Sequence, residues 1–199
     1  MKAGFALSIM LPITMMCLMP SGAVIAAPFA TELVSAARER TARHETYDGS
    51  YRRLAYPMGD VADDRGVCTD VIIRAYRHLG IDLQVLVHED MQRHFAAYPH
   101  SWGLPRPDSN IDHRRVPNLQ TFFRRAGAQL PVSRDPGQYR SGDLVTWLLP
   151  GNLPHIGVVS DRFAAGTSRP LVIHNIGRGP REDDSLFAYP ITGHYRYRP

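Results

Sequence analysis

A cysteine at the opening of an apolar helix and two histidines in strand-like runs are the residues of this chain whose types and spacing could do chemistry together. Cys68 lies in GVCTDVIIRAYRHLG, residues 66–80. Val71, Ile72, Ala75, Tyr76 and Leu79 recur there at helical spacing, Arg74, Arg77 and His78 supply a wetter side, and Gly80 is a natural residue just past the end. The cysteine therefore falls in or just before the first turn. Unpaired backbone N–H groups and the positive end of the helix dipole favour a thiolate at that place, and a thiolate is the form that attacks carbonyl carbon. The competing reading makes Cys68 a small core side chain, since free cysteine is often buried.

His155 and His174 sit in HIGVVSD and PLVIHNI. If residues 155–160 and 169–174 pair as a hairpin, Ser160 faces Arg169 and His155 faces His174, with Cβ atoms within roughly 5 Å on one face. A one-residue slip would separate them. Ile156, Val158, Leu171 and Ile173 then turn to the other face, toward helices. In this register one imidazole can serve as base and the other can hold its ring. Cys68 would attack, His155 would take and return the proton, and the N–H of Cys68 would receive the oxyanion.

The elements that must position this trio follow from periodicity. Residues 29–45 read as a surface helix with Leu33, Val34 and Ala37 inward, and Asp82 opens another with Leu83, Leu86, Val87 and Met91 inward. A third short helix, NLQTFFRRAG, ends at Gly127. The period then changes to two: DLVTWLL, HIGVVSD, PLVIHNI and ITGHYRY are short runs separated by turn residues, as in a meandering antiparallel sheet. Helices first and strands second predict an α+β fold with N-terminal helices packed on a C-terminal sheet. Asp63 or Asp64, in the polar turn GDVADDRG, is placed to cap the cysteine helix. The proline-rich stretch from Tyr98 to Pro117 reads as a long irregular loop carrying Asp108, Asn110, Asp112, His113, Arg114 and Arg115. Its arginines suit a substrate carboxylate. The plainer reading is that these side chains tie the loop to itself. No HExxH or CxxC spacing supports a metal site.

Lys2, an apolar run from Ala3 through Met19 and the small residues SGAVIAA have the layout of a secretory signal peptide, with cleavage after Ala26 and Cys17 lost with the leader. The apolar run, broken by Pro12 and Pro20, is short for a spanning helix, so no stable membrane span is expected after cleavage. Residues 27–199 then form one domain, exported to the periplasm or beyond, with Cys68 as its lone thiol. A lone thiol in an oxidising compartment calls for a reason, and nucleophilic chemistry supplies one. The formal net charge of +4 rests almost wholly on arginine, scattered among acids without an aromatic-interleaved stripe, which argues against nucleic-acid binding.

The order GVCTD, SGDLVTW, PHIGVVSD and LVIHNIG resembles the NlpC-like branch of the papain-like cysteine peptidases. Residues from about 50 to 197, with HEDM, NIDHRR and ITGHYRY, more closely resemble a bacterial exported family catalogued as domain of unknown function 1287. The broader resemblance implies a papain-like α+β fold, Cys68 as nucleophile, His155 as base and His174 as third member, with Tyr56 near the oxyanion. Asn175 competes with His174 for the third role. The branch usually places an acidic residue before the cysteine and a small pair after it; here Val67 precedes and Thr69 and Asp70 follow, which bears on substrate recognition. Asp70, Asp112, His113 and Arg114 join Tyr56 and Asn175 as substrate or oxyanion candidates. Exported members of the branch cleave amide bonds of peptidoglycan stem peptides. The expectation is a cofactor-free cysteine amidohydrolase acting on a peptide or peptidoglycan. Its rivals are a non-catalytic envelope protein binding glycan or peptide, and an acyltransferase using the same residues.

Overall fold

Periodicity in the sequence becomes one helical layer and one sheet in the computed structural model, which describes Met1 and residues 28–199. The leader through Ala26, with Cys17, lies outside the described residues. Helix α1 (Phe29–Glu39) buries Leu33, Val34, Ala36 and Ala37 along one stripe. Two short parallel strands, β1 (Thr46–Tyr47) and β2 (Arg65–Gly66), lead into α2 (Cys68–His78), and α3 spans Leu83–His94. Helix α4 (Val116–Arg125) starts two residues earlier than NLQTFFRRAG suggests, because Pro117 fits a first turn, where its missing N–H leaves no bond unmade.

Helix α2 is buried over Cys68–Tyr76; of the side expected to be wet, Arg74 is buried, Arg77 half-buried and His78 exposed. Arg74 is only 8% exposed, and its guanidinium meets Asp60, Glu45 and the carbonyls of Val61, Ala62 and Arg65. Neither Asp63 nor Asp64 caps this helix: Asp63 pairs with Arg40 and Arg43, and Asp64 with Arg65. The cap comes from within, as Asp70 reaches back to accept the Val67 N–H at 2.7 Å. Gly80, at φ +78°, closes the other end as the spacing suggests.

Strands β3 (Gln129–Leu130), β4 (Leu144–Leu149), β5 (Leu153–Phe163), β6 (Pro170–Asn175), β7 (Pro180–Asp183) and β8 (Ile191–Tyr195) form an antiparallel sheet in the order β3-β8-β4-β5-β6-β7. The run from β4 to β6 is the expected meander; β7 extends it beyond the strands expected, and β8 returns to pair with β4. That return brings His194 and Arg196 onto the buried Asp143, each at 2.7 Å.

The sheet is buried on both faces. Leu144, Ile156, Val158 and Ile173 pack with the helices, while Val145, Trp147, Val159 and Val172 pack with Tyr139 and Leu186 on the opposite face. Ile156, Val158 and Ile173 thus turn where alternation sends them; Leu171 is half-buried.

The β5–β6 register differs from expectation by two residues, since His174 pairs with Gly157 and not with His155. The hairpin closes at Phe163↔Pro170, a tighter loop than the one assumed, and a bulge between Val159 and Phe163 then takes up part of the difference. An even shift preserves which face each side chain occupies. His155 and His174 therefore still share a face, now as diagonal neighbours.

Candidate functional site

Cys68 is the first residue of α2, and its sulfur lies against β5. The backbone N–H of Ile156 is among the groups that favour its thiolate, as are the N–H groups of Thr69 and of Cys68 itself. The Ile156 N–H lies outside the β5–β6 register, which begins at Gly157. Tyr47 completes the surroundings: Cys68 is among the groups that raise its phenol, while its ring is half-exposed.

The imidazoles lie on the face away from α2. His155 Nε2 is 2.7 Å from His174 Nδ1, the rings standing nearly edge to face with centroids 5.0 Å apart. Trp147, the β4 partner of His155, tilts over it at 5.8 Å. On its far side His174 Nε2 meets Asp183 Oδ1 at 3.0 Å and Ser185 Oγ at 3.2 Å. The approach of β5 to β6 depends on Gly157, where a Cβ would come within 2.7 Å of Val172 Cγ1 and 3.0 Å of the Ile173 carbonyl.

Burial sets the protonation of the resting site. It pushes the Cys68 thiol up to about 11, against the pull of the N–H groups from Ile156, Thr69 and Cys68 itself, and Asp70 pushes the same way as burial. The helix start therefore does not yield a resting thiolate: desolvation outweighs the N–H groups. Burial also holds His155 down to about 3, with His174 adding to the effect and Asp183 opposing it. His174 is likewise lowered by burial, with Asp183 opposing. Tyr47 is raised to about 12, chiefly by burial and next by Cys68, and keeps its proton. The site at rest holds a neutral thiol, two neutral imidazoles and a phenol.

The remaining candidates are placed as follows. Tyr56 stacks edge-on against His88 of α3, centroids 5.2 Å apart; the tyrosine that meets the sulfur is Tyr47. Asp70 and Arg114 form a buried bidentate pair, both bonds 2.9 Å, and Arg114 also donates to the Asp48 carbonyl at 3.2 Å. The pair thereby clamps the segment after Tyr47 to the start of α2 and offers no free charge to a substrate carboxylate. Asp112 is buried under Arg115 and accepts from the Asp108 N–H. His113 is 2% exposed, with Nδ1 lacking a partner and burial pushing the ring down to about 3. Asn175 accepts the Gly177 N–H through Oδ1, and its Nδ2 is a buried donor without an acceptor. Position 175 faces the opposite way from His174 on β6, so the two cannot share one role. Among the described residues no group of three or more His, Cys, Asp or Glu side chains is arranged to hold a metal ion, and no helix is long and apolar enough to cross a membrane.

Tyr47, Asp183, Ser185 and Trp147 are site residues that sequence reasoning passed over. For Trp147 a signal existed, since strand alternation puts it beside His155. Tyr47 reaches the sulfur only through the β1–β2 pairing, which two-residue strands do not announce.

Such an arrangement, a buried thiol at a helix start and two bonded imidazoles on the strands beyond it, lies within an α+β domain. The chain belongs to the family described as Domain of unknown function (DUF1287), which matches residues 34–197. It is 54% identical over 165 residues to the uncharacterized protein YijF of Escherichia coli (strain K12), covering 83% of this chain and 80% of that one. Among solved structures it is similar to NlpC1 from Trichomonas vaginalis, with a TM-score of 0.46 and 14% identity, covering 87% of this chain and 46% of that one. The chain thus spans about half the length of that solved protein.

Proposed function

We propose that the domain is an exported cysteine hydrolase that cleaves an amide bond, with peptidoglycan stem peptides as the favoured substrate. The observation that carries this reading is the 2.7 Å bond between His155 and His174, His155 being next in the chain to Ile156, whose N–H acts on the Cys68 thiol. His155 Nε2 is committed to His174, which leaves Nδ1 for the thiol proton. As Sγ attacks the carbonyl carbon, that proton passes to Nδ1 and the carbonyl oxygen becomes an oxyanion, facing the Cys68 N–H and the Tyr47 hydroxyl. The C–N bond then breaks, the leaving amine takes the proton from His155, and water releases the acyl group from the resulting thioester. Both partners start neutral, so proton transfer accompanies attack and no ion pair forms beforehand.

A second reading, a non-catalytic envelope protein binding glycan or peptide, draws on the burial of Cys68, which is 4% exposed. One experiment separates the two. Purified protein is incubated with whole peptidoglycan, with and without prior thiol alkylation, and released fragments are identified by mass. Alkylation-sensitive release of peptide supports hydrolysis; retention on intact sacculi with no release supports binding.

A further inference from the structure

We infer that Asp183 is a positioning residue that decides which ring nitrogen of His174, and through it of His155, carries the proton. The inference rests on the reading of His155 as base, but the geometry stands by itself. Two imidazole nitrogens 2.7 Å apart require one N–H and one lone pair. Nothing in the His155–His174 contact decides which ring donates. The decision comes from the outer side of His174, where Nε2 faces the Asp183 carboxylate at 3.0 Å. A carboxylate only accepts, so Nε2 of His174 carries the hydrogen.

The rest follows in sequence. Neutral His174 then has its lone pair on Nδ1, which accepts from His155. His155 must carry its own hydrogen on Nε2, and its Nδ1 is left with the lone pair that a general base needs. In the opposite arrangement His174 would donate from Nδ1, His155 would carry its hydrogen on Nδ1, and that nitrogen could not take a proton from a thiol. Ser185, at 3.2 Å from the same Nε2, does not choose between these states, because a hydroxyl donates or accepts equally well. Asp183 ends β7, whose pairing with β6 sets His174 opposite Arg181 and so carries the carboxylate two residues on to the ring's outer nitrogen. Burial opposes protonation of His174, with the positive charge of Arg181 adding to it, and keeps the ring neutral beside its carboxylate.

The test reads the tautomers directly. Protein labelled with 15N-histidine is compared at neutral pH as wild type, Asp183→Leu, Asp183→Glu and Ser185→Ala, using long-range 1H–15N correlations that separate Nδ1–H from Nε2–H rings. Wild type is expected to show His155 and His174 in the Nε2–H form. In Asp183→Leu the ratio of Nε2–H to Nδ1–H on His174 is expected to fall about tenfold or more, the share a charge-assisted hydrogen bond contributes. Asp183→Glu is expected to restore the wild-type form and Ser185→Ala to retain it. Should the leucine variant not fold, Asp183→Asn serves, since its amide can present a donor to Nε2 and shift the same ratio. An Nδ1–H ring at His174 in wild type, or an unchanged ratio in folded Asp183→Leu and Asp183→Asn, overturns the inference. Because no substrate is used, a failure of the hydrolase reading leaves this result interpretable.

Discussion

His155 and His174 bond at 2.7 Å although neither is the other's cross-strand partner, His174 being paired with Gly157. The contact is diagonal, and long side chains on one face of a twisted antiparallel pair can make it. It depends on β5 and β6 lying close at Gly157, where a Cβ would meet Val172 Cγ1, the Ile173 carbonyl and His174 Cβ.

Replacing that glycine tests the dependence. Gly157→Ala would drive a methyl group into Val172 Cγ1 and the Ile173 carbonyl. Separating the strands is expected to cost about 1–3 kcal/mol of stability, as overpacking does. Urea unfolding measures the loss, and any hydrolytic activity should fall with it because the diagonal contact opens.

The buried clamp at the start of α2 should be among the most sensitive places in the domain. Arg114→Ala would leave the Asp70 carboxylate, 2% exposed at its side chain, without its bidentate partner. Breaking one side of such a pair is expected to cost about 3–5 kcal/mol. Arg114→Lys should recover only part of this, since an ammonium cannot make both bonds. Chemical denaturation of the three proteins gives the order.

Stability should rise with pH through the histidine range. The folded form of His155 resists protonation, its value falling from 6.5 to about 3, and His113 behaves alike. The unfolded chain therefore binds these protons first. The stability the neutral rings contribute is fully present above pH 6.5 and drains away as pH falls toward about 3. Carboxylates enter the titration at the acid end, so the slope between pH 7 and 5 is the informative part. His155→Gln and His113→Gln should each flatten that slope in urea titrations.

Tyr47 is expected to act on turnover more than on binding. Tyr47→Phe removes the hydroxyl that meets Cys68 while keeping the ring. With the oxyanion role proposed above, kcat should fall by about 10²–10³-fold with little change in KM. An unchanged kcat would assign the hydroxyl to packing alone.

How much of this was legible in the residues depends on the range of the contacts involved. The helix beginning at Cys68, its end at Gly80 and the shared face of the two histidines all follow from short-range periodicity, and each is found in the structure. Strand alternation even survived a wrong register, because the error was an even number of residues. The bulge between Val159 and Phe163 leaves no mark in VSDRF, so the exact partner of His174 could not be read. Asp112, His113 and Arg114 read as available for substrate because polar residues in a proline-rich segment are usually solvated. Here the segment folds back on α2, where the Arg114 side chain is bound to Asp70 and its carbonyl accepts from Thr69. The thiolate expectation failed for a similar reason: a helix start announces its dipole in sequence, whereas the burial that opposes it belongs to the tertiary fold.

The central claim is that the Cys68 sulfur takes the acyl half of a cleaved amide. The direct measurement is mass analysis of acid-quenched protein after brief exposure to peptidoglycan stem peptides, comparing wild type with Cys68→Ala. An acyl adduct on the peptide containing Cys68, absent from the folded and inactive alanine variant, is the expected result. Undiminished cleavage by Cys68→Ala would contradict the account.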